Sequence, residues 1–367
     1  MKRYLHLIKN FDWIILLATL LLLGFSVAII FSATFSLTGG GKEALQQALY
    51  AVLGLVILLT IARTDYRSFK NYSAILYVIT VAMLIAVNYL GTTSLGATRW
   101  INLGFFQFQP AELAKIFLII VMAKFFAERT EEMRQLKTLL LSLVYVAIPT
   151  ILVAFQPDLG TALTFMVIWA AMVLVSNARK IYFLGLGLIS IVSLPIVYRF
   201  LHDYQKKRIL AFLNPTADPM GAGWNVNQAL IAIGSGQWKG RGLGHGPQSQ
   251  LNFLPFKHTD FVFAALAEEM GFLGAAAVLI LFAVIIYRGI RVAMIARDYY
   301  GMYLATGICA MLFFHVFVNV GMNIGLMPVT GIPLPLVSSG GTSVIITLAA
   351  IGILESIIIR YKKIDFK

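Results

Sequence analysis

Ten stretches of this chain are almost purely apolar: 12–32, 44–61, 73–90, 111–127, 138–155, 161–176, 181–200, 261–287, 300–320 and 341–359. A helix of about 20 residues crosses a hydrocarbon core of about 30 Å, so each run is long enough to span a bilayer or nearly so. A soluble chain of 367 residues needs a polar surface, and this one is 59% apolar and only 12% charged. An ordinary cytosolic enzyme and a disordered protein are therefore excluded. The pattern predicts an all-α polytopic membrane protein: a single membrane-embedded domain over 1–367 with about ten transmembrane helices. Its one long connection, 201–259, lies between helices seven and eight. The lone cysteine, Cys309, sits in an apolar run, which excludes a disulfide framework and a cysteine-built zinc site.

The first run follows Lys2, Arg3 and Lys9, as a signal peptide would, but its core is too long for cleavage, so it reads as an uncleaved first helix. Basic residues orient the rest. They crowd the segments on one side: Arg63, Arg67 and Lys70; Arg129, Arg134 and Lys137; Arg179 and Lys180; Arg288, Arg291 and Arg297; Arg360, Lys362, Lys363 and Lys367. Only Lys42 and Arg99 stand in the short loops opposite. Both termini are thus expected in the cytoplasm, with 201–259 outside. That long loop carries Lys206, Lys207, Arg208, Lys239, Arg241 and Lys257, a positive charge that topology does not explain. Its middle, WNVNQALIAI, has the spacing of a short amphipathic helix at the interface. The formal charge of +13 is accounted for by the inner loops and needs no nucleic acid. His315 reads as a satisfied residue within its helix.

Charged residues at the ends of apolar runs are functional candidates, because each is costly in hydrocarbon. In QPAELAK (109–115), Glu112 and Lys115 share a helix face, either as an internal salt bridge or as a charged pair on a cavity wall. In QPDLGT (156–161), Asp158 is either a helix cap or a site residue. In FLPFKHTDFVFAALAEEMG (253–271), Lys257 and His258 precede Asp260, and Glu268 follows eight residues later on nearly the same face, a carboxylate stack that favours a function over a plain cap. In MPVTGIPLPLVSSGGTS (327–343) the prolines and glycines cannot continue a helix, so the backbone must be buried in protein or line a polar cavity. Ser338, Ser339, Gly340 and Gly341 have the composition of an anion-binding nest. All four motifs fall at outer helix ends. Together they supply carboxylates (Glu112, Asp158, Asp260) and cations (Arg99, Lys115, Lys257), a set suited to an anionic, lipid-anchored substrate.

These motifs resemble the SEDS family (shape, elongation, division and sporulation), the polytopic peptidoglycan polymerases of bacteria. The resemblance spans nearly the whole chain and rests on QPAELAK, QPDLGT, DPMGAGWNVNQALIAIGSG, GPQSQLNFLPFKHTDFVFAALAEEMG and PLPLVSSGG in order. Within the family it is most similar to the elongation branch. Two departures are Ser339, where the family usually has tyrosine, and Phe256-Lys257, where an acidic-basic pair is common. The resemblance implies a glycosyltransferase that polymerises lipid II at the outer face of the cytoplasmic (inner) membrane during cell elongation. Asp260 would be the general base on the acceptor 4-hydroxyl and undecaprenyl diphosphate the leaving group. Glu112, Lys115, Asp158, Arg99, Lys257, His258, Ser338, Ser339 and Gly340 would bind substrate. It leaves room for a divalent cation, Mg or Mn, with Asp260 and Asp158 as candidate ligands. It also implies a class B penicillin-binding protein, the transpeptidase, as partner, and lipid II with a lipid-linked glycan chain as substrates. The alternatives are a flippase for the lipid-linked precursor, which would need a polar path open in turn to both faces, and an inert scaffold, which would not explain carboxylates kept at costly positions.

Overall fold

The computed structural model describes residues 10–38, 41–94, 97–102, 104, 107–201, 203–214 and 222–361. Every apolar run folds as a helix. In chain order these are α1 (Trp13–Thr38), α2 (Gly41–Arg63), α3 (Phe69–Leu90), α4 (Pro110–Glu128), α5 (Leu136–Phe155), α6 (Leu159–Val175) and α7 (Lys180–Phe200). The long loop contributes α8 (Asp203–Leu213), α9 (Ala222–Gly236) and the single turn α10 (Pro247–Gln250). After it come α11 (Val262–Ile295), α12 (Tyr299–Asn323) and α13 (Gly341–Tyr361). Among the described residues, seven of the ten helices that match the runs are long and apolar enough to cross a membrane. Of the other three, α6 is a shorter apolar helix, α7 occupies the seventh run, and α4 carries Glu112, Lys115, Lys124 and Glu128. The terminal cations Lys2, Arg3, Lys9, Lys362, Lys363 and Lys367, and residues 215–221 of the long loop, lie outside the described residues.

Helix α13 is the axis of the bundle, with 94% of its apolar window buried inside the protein. It packs closely on α2: a Cβ added at Gly352 would lie 2.8 Å from the Leu58 carbonyl oxygen. Buried side chains of α4, α6, α11 and α12 complete the core, while α1, α2, α3 and α5 turn large apolar residues outward, as lipid-facing helices do. Just before α1, Asp12 pairs with Arg288, and its N–H donates to the buried Glu355 Oε2 at 3.0 Å.

The structure adds three features beyond the apolar runs. A small antiparallel sheet, β1 (Thr92–Ser94), β2 (Ala97–Asn102) and β3 (Gln107–Phe108), connects α3 to α4 and carries Arg99. The long loop is largely helical, and α9 is docked rather than lying free at the interface. Its Ala229 and Ala232 are fully buried against Leu254, Phe261, Ala264 and Ala265.

The third feature is a break in α11 at Gly271, whose φ of 67° and ψ of −167° no β-carbon-bearing residue adopts without strain. A break at membrane depth leaves carbonyls and N–H groups without helical partners. The loop at 237–242 supplies them. Phe272 N donates to Gln237 O at 2.7 Å and Leu273 N to Trp238 O at 3.2 Å. In return Arg241 N donates to Glu268 O at 3.0 Å and Gly242 N to Glu269 O at 2.9 Å.

Candidate active site

Four segments that the sequence marked separately meet around one polar cavity of about 500 Å³. Its wall includes Arg99, Glu112, Lys115, Asp158, His258, Asp260, Ser339 and Gly340.

Pro110 opens α4 with its fixed φ, which sets Glu112 in the first turn and Lys115 one turn on. Lys115 Nζ donates to Glu112 Oε1 at 2.7 Å, and both side chains are almost wholly buried, 2% and 4% exposed. The ammonium has a second neighbour, His315 Nε2 on α12, at 3.2 Å. A lysine ammonium can only donate, so this imidazole nitrogen accepts and the ring is neutral with its proton on Nδ1. Sequence reading assigned His315 to its own helix; the structure puts it on the cavity wall, 200 residues from its partner. Nothing in the sequence pairs two residues that far apart.

Asp158 caps α6, accepting from Thr161 N at 3.1 Å and Thr161 Oγ1 at 3.0 Å. It also accepts from Gln109 Nε2 at 3.4 Å and pairs with Arg99 Nη1 at 3.9 Å. It is thus both a cap and part of the wall. Arg99 is fixed by the turn it reaches over, donating to the carbonyls of Gln156 and Pro157.

Asp260 occupies the turn before α11 and is not that helix's cap; Phe261 holds the N-cap position without a side-chain bond. Among the described residues no hydrogen bond holds the Asp260 carboxylate, which faces the cavity. Burial pushes its pKa above the usual carboxylate range, opposed by the positive charges of Arg208 and Arg99 and reinforced by Asp158. Arg208, from α8, donates to Val329 O at 3.0 Å. A β-carbon at Gly331 would lie 3.7 Å from both Arg208 Nη1 and Asp260 Oδ2, so this glycine leaves the space between cation and carboxylate open. Arg208 was absent from the predicted site residues, although it belongs to the outer cations that topology left unexplained.

Several expectations are corrected. Lys257 is buried away from the cavity: it donates to Ser249 O and, at 2.8 Å, to Asn252 Oδ1. Desolvation lowers its pKa, against the pull of Glu269 and Glu268. Ser338 is buried behind the wall, where its hydroxyl bridges Leu334 N and Thr259 O. The nest does not form, because the N–H groups of Ser338, Ser339 and Gly340 are bonded to Leu334 O, His258 O and Gln47 Oε1. His258 does line the cavity, but burial and the adjacent Lys257 depress its pKa, with Glu43 opposing, so it is neutral near pH 7. The carboxylate stack is structural. Glu268 accepts from Gln248 N (2.7 Å), Ser249 N (2.9 Å) and Ser249 Oγ (2.5 Å), and Glu269 from Ser32 Oγ (2.7 Å). These two glutamates pin α10 and the broken helix rather than extend the site.

A divalent cation at Asp260 and Asp158 would find two carboxylates and no third such protein ligand among the described residues. The oxygens of Asp158 are engaged by Thr161, Gln109 and Arg99, and among the described residues no group of three or more His, Cys, Asp or Glu is placed to hold a metal. No step below runs through one.

The chain as a whole is similar to known proteins. A family model described as "cell cycle protein", covering FtsW, RodA and SpoVE, matches residues 12–363. The peptidoglycan glycosyltransferase MrdB of Escherichia coli K12 is 41% identical over 350 residues, covering 95% of this chain and 93% of that protein. A probable peptidoglycan glycosyltransferase FtsW of Geobacter metallireducens is 36% identical over 98% of both chains. Among solved structures, one chain comes from work on the structural coordination of polymerization and crosslinking by a peptidoglycan synthase complex. It superposes with a TM-score of 0.81 at 29% identity, over 96% of this chain and 98% of that one. The rod shape determining protein RodA of Thermus thermophilus gives 0.68 at 26% identity, over 95% and 96%. With the family model spanning nearly all of its length and its motifs gathered on one cavity, the chain belongs to the FtsW/RodA/SpoVE family, the SEDS proteins.

Proposed function

We propose that this membrane protein is a peptidoglycan glycosyltransferase that extends glycan strands from lipid II in bacterial elongation. The observation that carries the mechanism is the Asp260 carboxylate, without a hydrogen bond among the described residues, on a cavity wall that also presents Arg99 and Lys115. Asp260 takes the proton of the acceptor sugar's 4-hydroxyl as that oxygen attacks the donor's anomeric carbon. The bond from that carbon to undecaprenyl diphosphate breaks as the new glycosidic bond forms, with inversion. A diphosphate leaves without a strong general acid, and Lys115, Arg99 and Arg208 offset its charge. Purified chain incubated with lipid II, alone and with a class B penicillin-binding protein, should yield glycan polymer. Failure in both conditions would remove the reading.

The raised pKa of Asp260 fixes the sign of the pH dependence. A base works ionised, so kcat/KM should rise with pH through that pKa and fall in acid. The acid limb should lie above the ordinary aspartate range near pH 3.9. A limb at or below that value would mean another group titrates.

The charge asymmetry supports a cavity on the outer side, with both termini in the cytoplasm. Lys239 and Arg134 are both exposed in the structure. An impermeant thiol reagent should label Lys239→Cys in intact cells and leave Arg134→Cys untouched; the reverse pattern would invert the topology. The partner reading is a class B penicillin-binding protein whose single span lies against α11 and α12. Phe313 and Phe317, stacked with centroids 5.7 Å apart, turn outward there. Photo-crosslinkers at these two positions should capture it.

A further inference from the structure

Three consecutive carbonyls of the turn that carries Asp260 are held from outside that turn. Ser339 N donates to His258 O at 2.8 Å. Ser338 Oγ donates to Thr259 O at 2.7 Å. The amides of Asn319 and Asn323, one turn apart on α12, both donate to Asp260 O at 3.1 Å. The remaining valences of the two amides are also used. Asn319 Nδ2 donates to Ile332 O at 2.8 Å, Asn323 Nδ2 to Asn319 O at 2.8 Å, and Asn323 Oδ1 accepts from Ala264 N at 3.0 Å in the first turn of α11. Every partner is a carbonyl for the NH₂ group and an N–H for the oxygen, so the network itself assigns each amide.

Both asparagines are fully buried, and Ser338 is 2% exposed. Buried amides in the membrane half of a helix are expensive, and a satisfied network of them specifies one geometry. Here that geometry belongs to a backbone whose side chain has no hydrogen bond among the described residues. The carboxylate is therefore positioned chiefly by its main chain, with Arg208 and Arg99 acting on it through charge.

We propose that Asn319, Asn323 and Ser338 are positioning residues for Asp260: they fix the backbone from which the base reaches the acceptor hydroxyl and touch no substrate themselves. Ser338 thereby leaves the set of substrate-binding residues. The proposal rests on the glycosyltransferase reading with Asp260 as base. A displacement of about 1 Å at a reacting group can cost on the order of 10²-fold in rate, so the effect should be large and confined to turnover.

The test uses the full chain, with kcat and KM for lipid II and the unfolding temperature measured for each variant. Wild type and Asp260→Asn come first: an inert wild type or an active Asn variant defeats the underlying reading, whatever the asparagines do. With that reading standing, Asn323→Asp keeps the oxygen that accepts from Ala264 and replaces the NH₂ that donates to Asp260 O. We expect kcat to fall on the order of 10²-fold while KM moves by about twofold or less. The variant's deficit relative to wild type should narrow on acidification, because a protonated carboxyl at 323 regains one donor, while the absolute rate of both falls as Asp260 is protonated. Ser338→Ala removes one hydroxyl, and Asn319→Ser shortens one amide. Both should show the same split with a smaller fall, and they carry the test if Asn323→Asp fails to fold. Variants that lose thermal stability but keep a wild-type kcat per folded molecule would overturn the proposal and leave the network as scaffolding.

Discussion

Replacing Asp260 by asparagine is expected to abolish lipid II polymerisation while leaving the protein at least as stable as wild type. General-base catalysis typically contributes about 10²–10⁴-fold, and Asn keeps the shape but cannot take a proton. The stability half follows from the site. The folded-state pKa of Asp260 is raised, with burial as the leading cause. A group raised in this way stabilises the fold below its unfolded pKa and loses that contribution as pH rises through its folded value. Once ionised, the buried carboxylate is thus a burden on the fold, and Asn removes the charge. No side-chain cap is lost either, since Phe261 holds that position. Thermal unfolding and a polymerisation assay on the same preparation check both halves. An Asn variant that synthesises glycan at a near-normal rate would remove Asp260 from the chemistry.

The second large effect concerns the buried pair on α4. Exchanging its charges, Glu112→Lys with Lys115→Glu, keeps the ion pair but turns a carboxylate toward His315 and takes the cation from its place on the wall. Polymerisation should be lost. The single change Lys115→Met should instead damage the fold, since stranding one buried charge costs about 3–5 kcal/mol. A folded, active exchange variant would make the pair a purely structural bridge. Lipid II turnover and unfolding temperature, measured on both variants, separate these outcomes.

The bundle was legible because hydrocarbon allows so few solutions: an apolar run of the right length has to become a helix. Asp158, Glu112, Lys115 and Asp260 were legible for the same reason, as charges where charge is expensive. What the sequence hid has different physics. Lys257 and Ser338 looked like ligands because composition says nothing about which way a side chain turns, and each is spent on a neighbouring backbone carbonyl. Glu268 looked like a second site carboxylate because it shares a face with Asp260, yet the chain folds α10 over it. His315, Asn319 and Asn323 form a polar stripe at four-residue spacing in an apolar helix, a signal that marks a face but names no partner. Their partners are 200, 59 and 59 residues away, and only the packing of α12 against α4 and the turn at Asp260 brings them together.

The interruption at Gly271 also bears on how the protein is made. An unbroken helix of 34 residues would reach about 51 Å, far more than a bilayer's apolar thickness. Among the described residues, the backbone groups bared at the break are completed by residues 237–242, which leave the ribosome shortly before it. The half-helix that follows Asp260 thus has a partner already synthesised when it arrives. The order of translation and the order of hydrogen bonding agree at this break, whereas the turn at Asp260 is completed by Asn319, Asn323, Ser338 and Ser339, which are all made after it.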